Sequence, residues 1–137
     1  MTIWGLGAKV PDIDAEIAVI RAMGGRLVLD ERISVDGREH RIPLLQLADK
    51  YLHIAPRMVY EDDLDAPLGD GLCHMVVQVG DLAEARDRAL RAGALEVRPA
   101  TRVVAGFGTR YVAFFRTPGG ILIELAEILS RGVPDPS

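Results

Sequence analysis

Two histidines and one glutamate, His53, His74 and Glu124, are the residue types from which a protein can build a metal site or an acid–base pair. Each lies in a short apolar run that predicts a half-buried strand. A buried imidazole or carboxylate needs a partner. Two imidazoles and one carboxylate are suitable ligands for a divalent metal ion if the fold brings them together. The alternative is that each histidine simply hydrogen-bonds a nearby group.

Alternation along four predicted strands places these three residues on one common face of a sheet. On each strand the residues divide into two sets, one for each face of the sheet. The first set is wholly apolar, and the second carries the polar or small residues. The sets are Cys73, Met75, Val77 and Val79 against His74, Val76 and Gln78; Ile121, Ile123 and Leu125 against Leu122, Glu124 and Ala126; Leu52 and Ile54 against Tyr51, His53 and Ala55; and Trp4, Leu6, Ala8 and Val10 against Gly5, Gly7 and Lys9. We expect the first sets to lie under helices and the second sets to line a cleft.

The elements that carry these strands occur twice. Segments 8–28 and 77–97 are related by a constant offset of 69 residues. The matched residues are Val10 and Val79, Asp12 and Asp81, Gly24 and Gly93, and Val28 and Val97. The aspartate of each copy predicts a helix N-cap, because a carboxylate accepts hydrogen bonds from free backbone N–H groups. The glycine of each copy predicts the helix end.

Each copy continues with strand-like sequence. Asp36-Gly37 in the first copy predicts a hairpin turn, and Gly106 and Gly108 mark the equivalent place in the second. Each half therefore reads as βαβββ, and the two halves should combine because neither buries a sheet alone. We predict one α+β domain over 1–137, with module 1 at 1–60, an acidic linker at 61–70, module 2 at 71–130 and a frayed tail at 131–137.

Composition narrows the class of protein. The 137 residues are 49% hydrophobic and 26% charged, as in a globular domain. We see no membrane-spanning run and no signal peptide, and the single cysteine, Cys73, excludes an internal disulfide. We therefore expect a cytoplasmic protein that does not bind membranes. The net charge of −4 with interspersed signs argues against a nucleic-acid partner.

The order of elements and two segments resemble the vicinal oxygen chelate superfamily, also called the glyoxalase/bleomycin resistance/extradiol dioxygenase superfamily. The segments are CHMVVQVGDLAEARDRALRAGALEV and RYVAFFRTPGGILIELAE, in which Thr117 stands where the family usually has aspartate. The resemblance implies a glyoxalase-like fold, in which two βαβββ modules pair into curved mixed sheets that enclose a cleft. It also implies that the protein forms a homodimer.

The resemblance further implies a divalent metal site with up to four ligands, one on the first and one on the last strand of each module. His74 and Glu124 match the two positions of the second module. In the first module, Gly5 stands at the position equivalent to His74 and offers no ligand. Matching Gly37 to Gly108 places His53 opposite Glu124, whereas the offset of 69 places Ala55 there. His53, His74 and Glu124 thus remain as the candidate metal ligands.

Two functions of different classes follow from the resemblance. In the first, a divalent nickel, zinc, manganese or iron ion chelates a small oxygen-containing substrate for lyase, isomerase/epimerase or dioxygenase chemistry, with Glu124 as a catalytic proton shuttle. In the second, a metal-free protein binds and sequesters a small molecule, as bleomycin-resistance proteins do. Tyr51, Gln78, Lys9 and Arg110 are the candidate substrate contacts in either case.

Overall fold

The computed structural model describes residues 1–136 and contains two modules in chain order. Module 1 comprises β1 (Thr2–Lys9), α1 (Ile13–Ala22), β2 (Arg26–Leu29), β3 (Arg32–Val35), β4 (Arg38–Arg41), β5 (Leu44–Leu47) and β6 (Lys50–Ala55). A short 3-10 helix, Glu61–Asp63, lies in the acidic linker. Module 2 comprises β7 (Gly71–Gln78), α2 (Leu82–Arg91), β8 (Leu95–Ala105), β9 (Gly108–Arg116) and β10 (Leu122–Arg131).

The two modules share one mixed sheet, so the predicted α+β class is confirmed. Eight strands pair in the order β2-β5-β6-β1-β7-β10-β9-β8. Within each module the first strand runs parallel to the last, and the two first strands, β1 and β7, pair antiparallel at the centre. The sheets that the sequence predicts for the two modules therefore join into one continuous sheet through β1 and β7.

Both helices begin and end where the repeat predicts. The Asp12 side chain accepts a hydrogen bond from Ala15 N, and Asp81 accepts one from Glu84 N. Gly24 and Gly93 follow the helices with φ of +100° and +105°, a conformation that glycine adopts without strain. Each helix packs on one face of its module's half of the sheet, over separate apolar clusters.

Two residues lie on the face opposite to the one that alternation predicts. Trp4 and Cys73 were expected under the helices, but both pack in the cluster on the cleft side. The β1–β7 register shifts at both positions, between Ile3 and Gly5 and again opposite Gly7 and Ala8, so each strand carries a β-bulge. A bulge inserts one extra residue and interrupts the alternation of side chains. Trp4 and Cys73 are equivalent at the offset of 69, so the two bulges are part of the repeat.

The Asp36-Gly37 turn forms the predicted hairpin, with φ of 53° and 75° at its two central residues. The far half of this hairpin, β3 and β4, leaves the main sheet as a separate two-stranded sheet. Ile33 and Val35 are buried against the cleft side, so β3–β4 forms a cover over the cleft. Arg98 on β8 connects this cover to the linker, because its guanidinium pairs with Asp36 and lies 3.2 Å from Asp63.

The segment predicted as a frayed tail makes contacts with the rest of the chain. Strand β10 continues to Arg131, Gly132 N donates to Phe107 O, and the Tyr51 hydroxyl donates to Pro134 O at 2.8 Å. Residues 131–136 therefore pack against module 2 and the cleft cluster, and Ser137 lies outside the described residues. None of the described helices is long and apolar enough to cross a membrane.

The contacts of Arg98 predict that it fastens the β3–β4 cover. Arg98→Ala should increase amide hydrogen exchange in residues 32–41 and lower the free energy of unfolding by about 1 kcal/mol, since partly exposed ion pairs contribute little more. Arg102→Ala, an exposed arginine on the same strand, is the matched control. Equal exchange of the cover in both variants would contradict this role.

Candidate functional site

A cavity lies between the sheet and the β3–β4 cover. It contains about 600 Å³ of space between protein atoms, a volume that includes open solvent at its mouth. Most of its walls are apolar, with polar groups at a few points. These polar groups are His53, Arg57, Tyr60, His74, Arg110 and Glu124. Three of these polar residues, His53, His74 and Glu124, are the candidate metal ligands that the sequence predicts. A fourth, Arg110, is one of the predicted substrate contacts.

Strand register explains why these side chains meet. In module 1, Gly7 pairs with His53 across β1 and β6, and in module 2, Val76 pairs with Glu124 across β7 and β10. Gly7 and Val76 are equivalent at the offset of 69, so His53 is the structural equivalent of Glu124. The alternative match of Ala55 to Glu124 is wrong, because Ala55 instead occupies the place of Ala126: their carbonyls accept from Val10 N and Val79 N.

His74 connects two groups of the cavity. Its Nε2 lies 3.5 Å from Glu124 Oε1, and its Nδ1 lies 2.8 Å from the Tyr60 hydroxyl. The His74 side chain is 6% exposed and that of Glu124 is 13% exposed. The imidazole lies directly over Gly7, where a Cβ would approach within 2.1 Å of Cε1. Position 7 must therefore lack a side chain for His74 to reach Glu124.

The Glu124 carboxyl is ionised although it is largely buried. Burial raises its pKa, but His74, Arg110 and His53 act in the opposite direction, and together they lower it below its ordinary value. Burial raises the pKa of the Tyr60 hydroxyl, with further contributions from Cys73 and Glu124, so Tyr60 stays protonated. The cavity thus contains a carboxylate, an imidazole and a phenol in one continuous series of contacts.

His53 differs from His74 in having no hydrogen bond at its buried nitrogen. Its ring lies between Trp4 (centroid distance 5.4 Å) and Phe107 (4.8 Å), and Nδ1 has no partner among the described residues. Burial, followed by the charge of Arg110, lowers the pKa of His53 to about 3. His53 is therefore a neutral imidazole at physiological pH, with a ring nitrogen available to a ligand.

Arg110 is a buried cation held by aromatic rings. It is 2% exposed, and its Cζ lies 4.4 Å from the ring centroids of both Trp4 and Phe107. Burial lowers the pKa of Arg110, and Glu124 partly offsets this, but a guanidinium remains charged. Arg110 forms no ion pair within residues 1–136, and its Nε has no hydrogen-bond partner there.

The other three predicted substrate contacts lie elsewhere. Tyr51 is buried beside Trp4, and its hydroxyl is bonded to Pro134 O. Lys9 Nζ bonds Glu61 and Leu68 O in the linker at 3.1 and 3.0 Å. Gln78 pairs with Thr2 and Ala126 at the end of β7. None of these three is among the residues that line the cavity in the described chain.

The sequence reasoning missed Tyr60, Phe107 and the cover residues of β3. Tyr60 lies between a strand and the linker, where no periodicity assigns a face, and Phe107 lies in a turn. For Tyr60 and Phe107, the one available signal was their aromatic character in a chain with 5% aromatic residues.

A family model for the Glyoxalase/Bleomycin resistance protein/Dioxygenase superfamily matches residues 4–125. The chain belongs to this superfamily. The match contains β7, β1 from Trp4 onward, and all of His53, His74, Arg110 and Glu124. No match was found among proteins of curated function.

Solved structures agree with this assignment. Methylmalonyl-CoA epimerase from Mycobacterium tuberculosis is 27% identical, with a TM-score of 0.66 over 92% of this chain and 87% of that one. A single-residue variant of the Streptomyces coelicolor methylmalonyl-CoA epimerase, in complex with 2-nitronate-propionyl-CoA, is 19% identical with a TM-score of 0.70, over 98% and 99% of the two chains. A hypothetical protein of Bacillus halodurans is 16% identical with a TM-score of 0.69, over 97% and 98%. The last two similarities concern the fold alone.

Members of the superfamily commonly use divalent metals, so the candidate ligands require a test of fit. His53, His74 and Glu124 are suitable donors by type, and all three line the cavity. However, residues 1–136 contain no group of three His, Cys, Asp or Glu side chains placed to hold one ion. The fourth position is Gly5, and the Arg110 cation acts on both His53 and Glu124. As arranged, these residues do not fit a divalent ion, and metal binding stays a prediction.

The close approach of His74 to Gly7 predicts a specific sensitivity. Gly7→Ala should displace the imidazole from Glu124 and lower the free energy of unfolding by about 1–3 kcal/mol through overpacking. Chemical denaturation and the NMR resonances of the His74 ring measure both effects. Gly69→Ala is the control, because no described atom lies within 4 Å of a Cβ added there. Similar stabilities for the two variants would refute the constraint.

The lowered pKa of His53 predicts that acid destabilises the fold. Between its ordinary value of 6.5 and about 3, the unfolded chain binds a proton at His53 that the folded protein does not. The free energy of unfolding should therefore fall with decreasing pH by up to about 1.4 kcal/mol per unit from this residue. His53→Gln should flatten the profile between about pH 6.5 and 5 in urea titrations. An unchanged slope would show that His53 titrates normally.

Proposed function

We propose that this protein is an enzyme of the isomerase or epimerase type, which moves a proton at a carbon next to a carbonyl or carboxyl group of a small substrate. One observation carries the proposal: Glu124 is an ionised carboxylate in a largely apolar cavity, in contact with an imidazole that a tyrosine hydroxyl holds in place. A carboxylate that stays ionised inside a cavity and is oriented by a neighbour has the protonation state that a general base requires.

Glu124, His74 and Tyr60 each have a separate role in the proposed reaction. Glu124 takes the proton from the substrate carbon, so the C–H bond breaks and its electron pair moves toward the adjacent carbonyl oxygen as an enolate. His74 orients the carboxylate and, through its Nε2, exchanges a proton with it. Tyr60 fixes the His74 ring through Nδ1. The apolar walls, including Val112 and Phe114, exclude water that would otherwise compete for the base. Return of the proton to the carbon restores the carboxylate.

The comparisons support this class of reaction without identifying the substrate. The solved structure that is 27% identical to this chain is a methylmalonyl-CoA epimerase. The cavity is partly open and mostly apolar, with His74 and Glu124 among its lining residues, so a substrate could enter it and reach the proposed base. Small carboxylic acids, acyl-coenzyme A thioesters and dicarbonyl compounds are therefore the first substrates to examine.

Glu124→Gln should abolish the proton transfer while preserving the fold. Deuterium incorporation at the α-carbon, followed by NMR in D₂O, should fall roughly 100- to 10,000-fold in this variant. Glu127→Gln makes the same change on the same strand but outside the cavity and should retain exchange. Full exchange by Glu124→Gln would eliminate Glu124 as the base. The assay should be repeated after treatment with a chelator and after addition of nickel, zinc, manganese or ferrous ions, with metal content measured in parallel.

A second candidate function is sequestration of a small molecule without chemistry. Two features favour sequestration. Gly5 leaves one ligand position empty, and Arg110 is buried in the cavity, and both features suit a binding cleft. Tight binding of a compound that returns unaltered and undeuterated would favour this candidate over the enzyme.

The proposal includes a small-molecule substrate, a cytoplasmic location and a homodimeric state, as predicted from the sequence. Sedimentation velocity at micromolar concentration tests the dimer directly. A species near twice the chain mass of 14.9 kDa is expected.

A further inference from the structure

We propose that Arg110 is the binding group for a substrate carboxylate, and that its fixed charge supplies in this chain the positive electrostatics that a divalent ion supplies in metal-dependent members of the superfamily. This inference rests on the proposed function for its catalytic meaning, but the binding site itself is independent of any reaction. It begins from the one buried cation in the described cavity that no protein group neutralises.

A buried guanidinium without a carboxylate partner is unfavourable, because removal of a charge from water costs free energy that a salt bridge or hydrogen bonds must offset. Arg110 has neither at its Nε, and it is 2% exposed. Glu124 is close enough to influence it electrostatically but forms no ion pair with it within the described residues. The Nε–H of Arg110 thus lacks a partner in the protein, and a ligand that carries negative charge could neutralise this guanidinium.

The surroundings of Arg110 orient it for such a ligand. Trp4 and Phe107 both contact the guanidinium at 4.4 Å, and cation–π attraction stabilises the charge without using its N–H groups. Trp4 reaches this position only because the β-bulge in β1 turns it toward the cleft. The edge of a planar guanidinium presents paired N–H donors that match the two oxygens of a carboxylate.

The location of this cation disfavours a divalent ion at the predicted ligands. Trp4 immediately precedes Gly5, the position at which the family pattern places a ligand that this chain lacks. Arg110 acts electrostatically on His53 and Glu124, the residues predicted to bind the ion. A divalent ion among these donors would be repelled by the guanidinium, whereas a substrate anion would be attracted by it.

A carboxylate fits this cavity better than a phosphate does. The ionised Glu124 lines the same space, and a phosphate concentrates two negative charges on one group, whereas each carboxylate of a probe such as malonate carries one. The phosphate group would therefore experience more repulsion from Glu124. The largely apolar walls also favour a small organic acid. A carboxylate held at Arg110 would bring its neighbouring carbon into the cavity that Glu124 lines, which is the requirement of the proposed proton transfer.

Binding of malonate, with neutral malonamide and inorganic phosphate as comparison probes, tests the site at constant ionic strength by calorimetry. Malonate should bind to the wild-type protein, and Arg110→Met should weaken it by roughly 10- to 100-fold, as expected for loss of a charge-assisted contact. Arg110→Lys should be intermediate, and Arg102→Met, an exposed arginine on β8, should bind as wild type. Equal binding by wild type and Arg110→Met, equal binding of malonamide, or tighter binding of phosphate would overturn the assignment.

A measurement on the unmutated protein guards against misfolding of the variants. The Nε–H resonance of Arg110 should shift in ¹⁵N NMR as malonate is added, whereas that of Arg102 should not, and an unmoved Arg110 signal would refute the site. Glu124→Gln should retain or improve malonate binding, since it removes a like charge. If no substrate exchanges a proton but malonate still binds, the proposed function is overturned and the Arg110 site stands. If a substrate exchanges its proton but malonate does not bind, the Arg110 site is overturned and the proposed function stands.

Discussion

Two opposite charges, the Glu124 carboxylate and the Arg110 guanidinium, lie in one largely apolar cavity. Within the described residues they do not form a salt bridge with each other. The rest of the site depends on this separation. Glu124 stays ionised because His74 and Arg110 offset its burial. Arg110 stays charged against the Trp4 and Phe107 rings, and its Nε has no hydrogen-bond partner among the described residues. If the two groups paired, neither would be available to a substrate, so their separation is the feature that makes chemistry possible in this cavity.

The central pairing of β1 with β7 produces this arrangement. It places Gly7 beneath the His74 imidazole. The parallel pairing within each module, β1 with β6 and β7 with β10, then gives His53 and Glu124 equivalent places. The repeat, the caps at Asp12 and Asp81 and the Asp36-Gly37 hairpin could all be predicted, because local signals determine them. The bulges at Trp4 and Cys73 could not, since they arise from pairing between strands that are distant in sequence. The same is true of the departure of β3–β4 from the main sheet.

The inward orientation of the three candidate ligands followed from alternation, because the strand stretches on which it was read are regular; the bulge at Cys73 lies just before His74 and disturbs only Cys73. The substrate contacts were harder to predict. Lys9 shares the predicted face but is bonded to Glu61 in the linker. Tyr51 is likewise bonded to Pro134 O. Whether a polar side chain is free or already partnered depends on contacts between distant segments, which the spacing of residues along one strand does not reveal. Arg110 is the candidate whose Nε has no partner among the described residues.

The ionisation of Glu124 is the claim on which this account rests, and ¹³C NMR of glutamate-labelled protein measures it without a substrate. The Glu124 carboxyl resonance, assigned by its absence in Glu124→Gln, should keep the chemical shift of a carboxylate at neutral pH. It should titrate below 4.5, the ordinary value for this group. A resonance that shows a protonated carboxyl at neutral pH would contradict the account, because a neutral Glu124 could not act as a base beside His74.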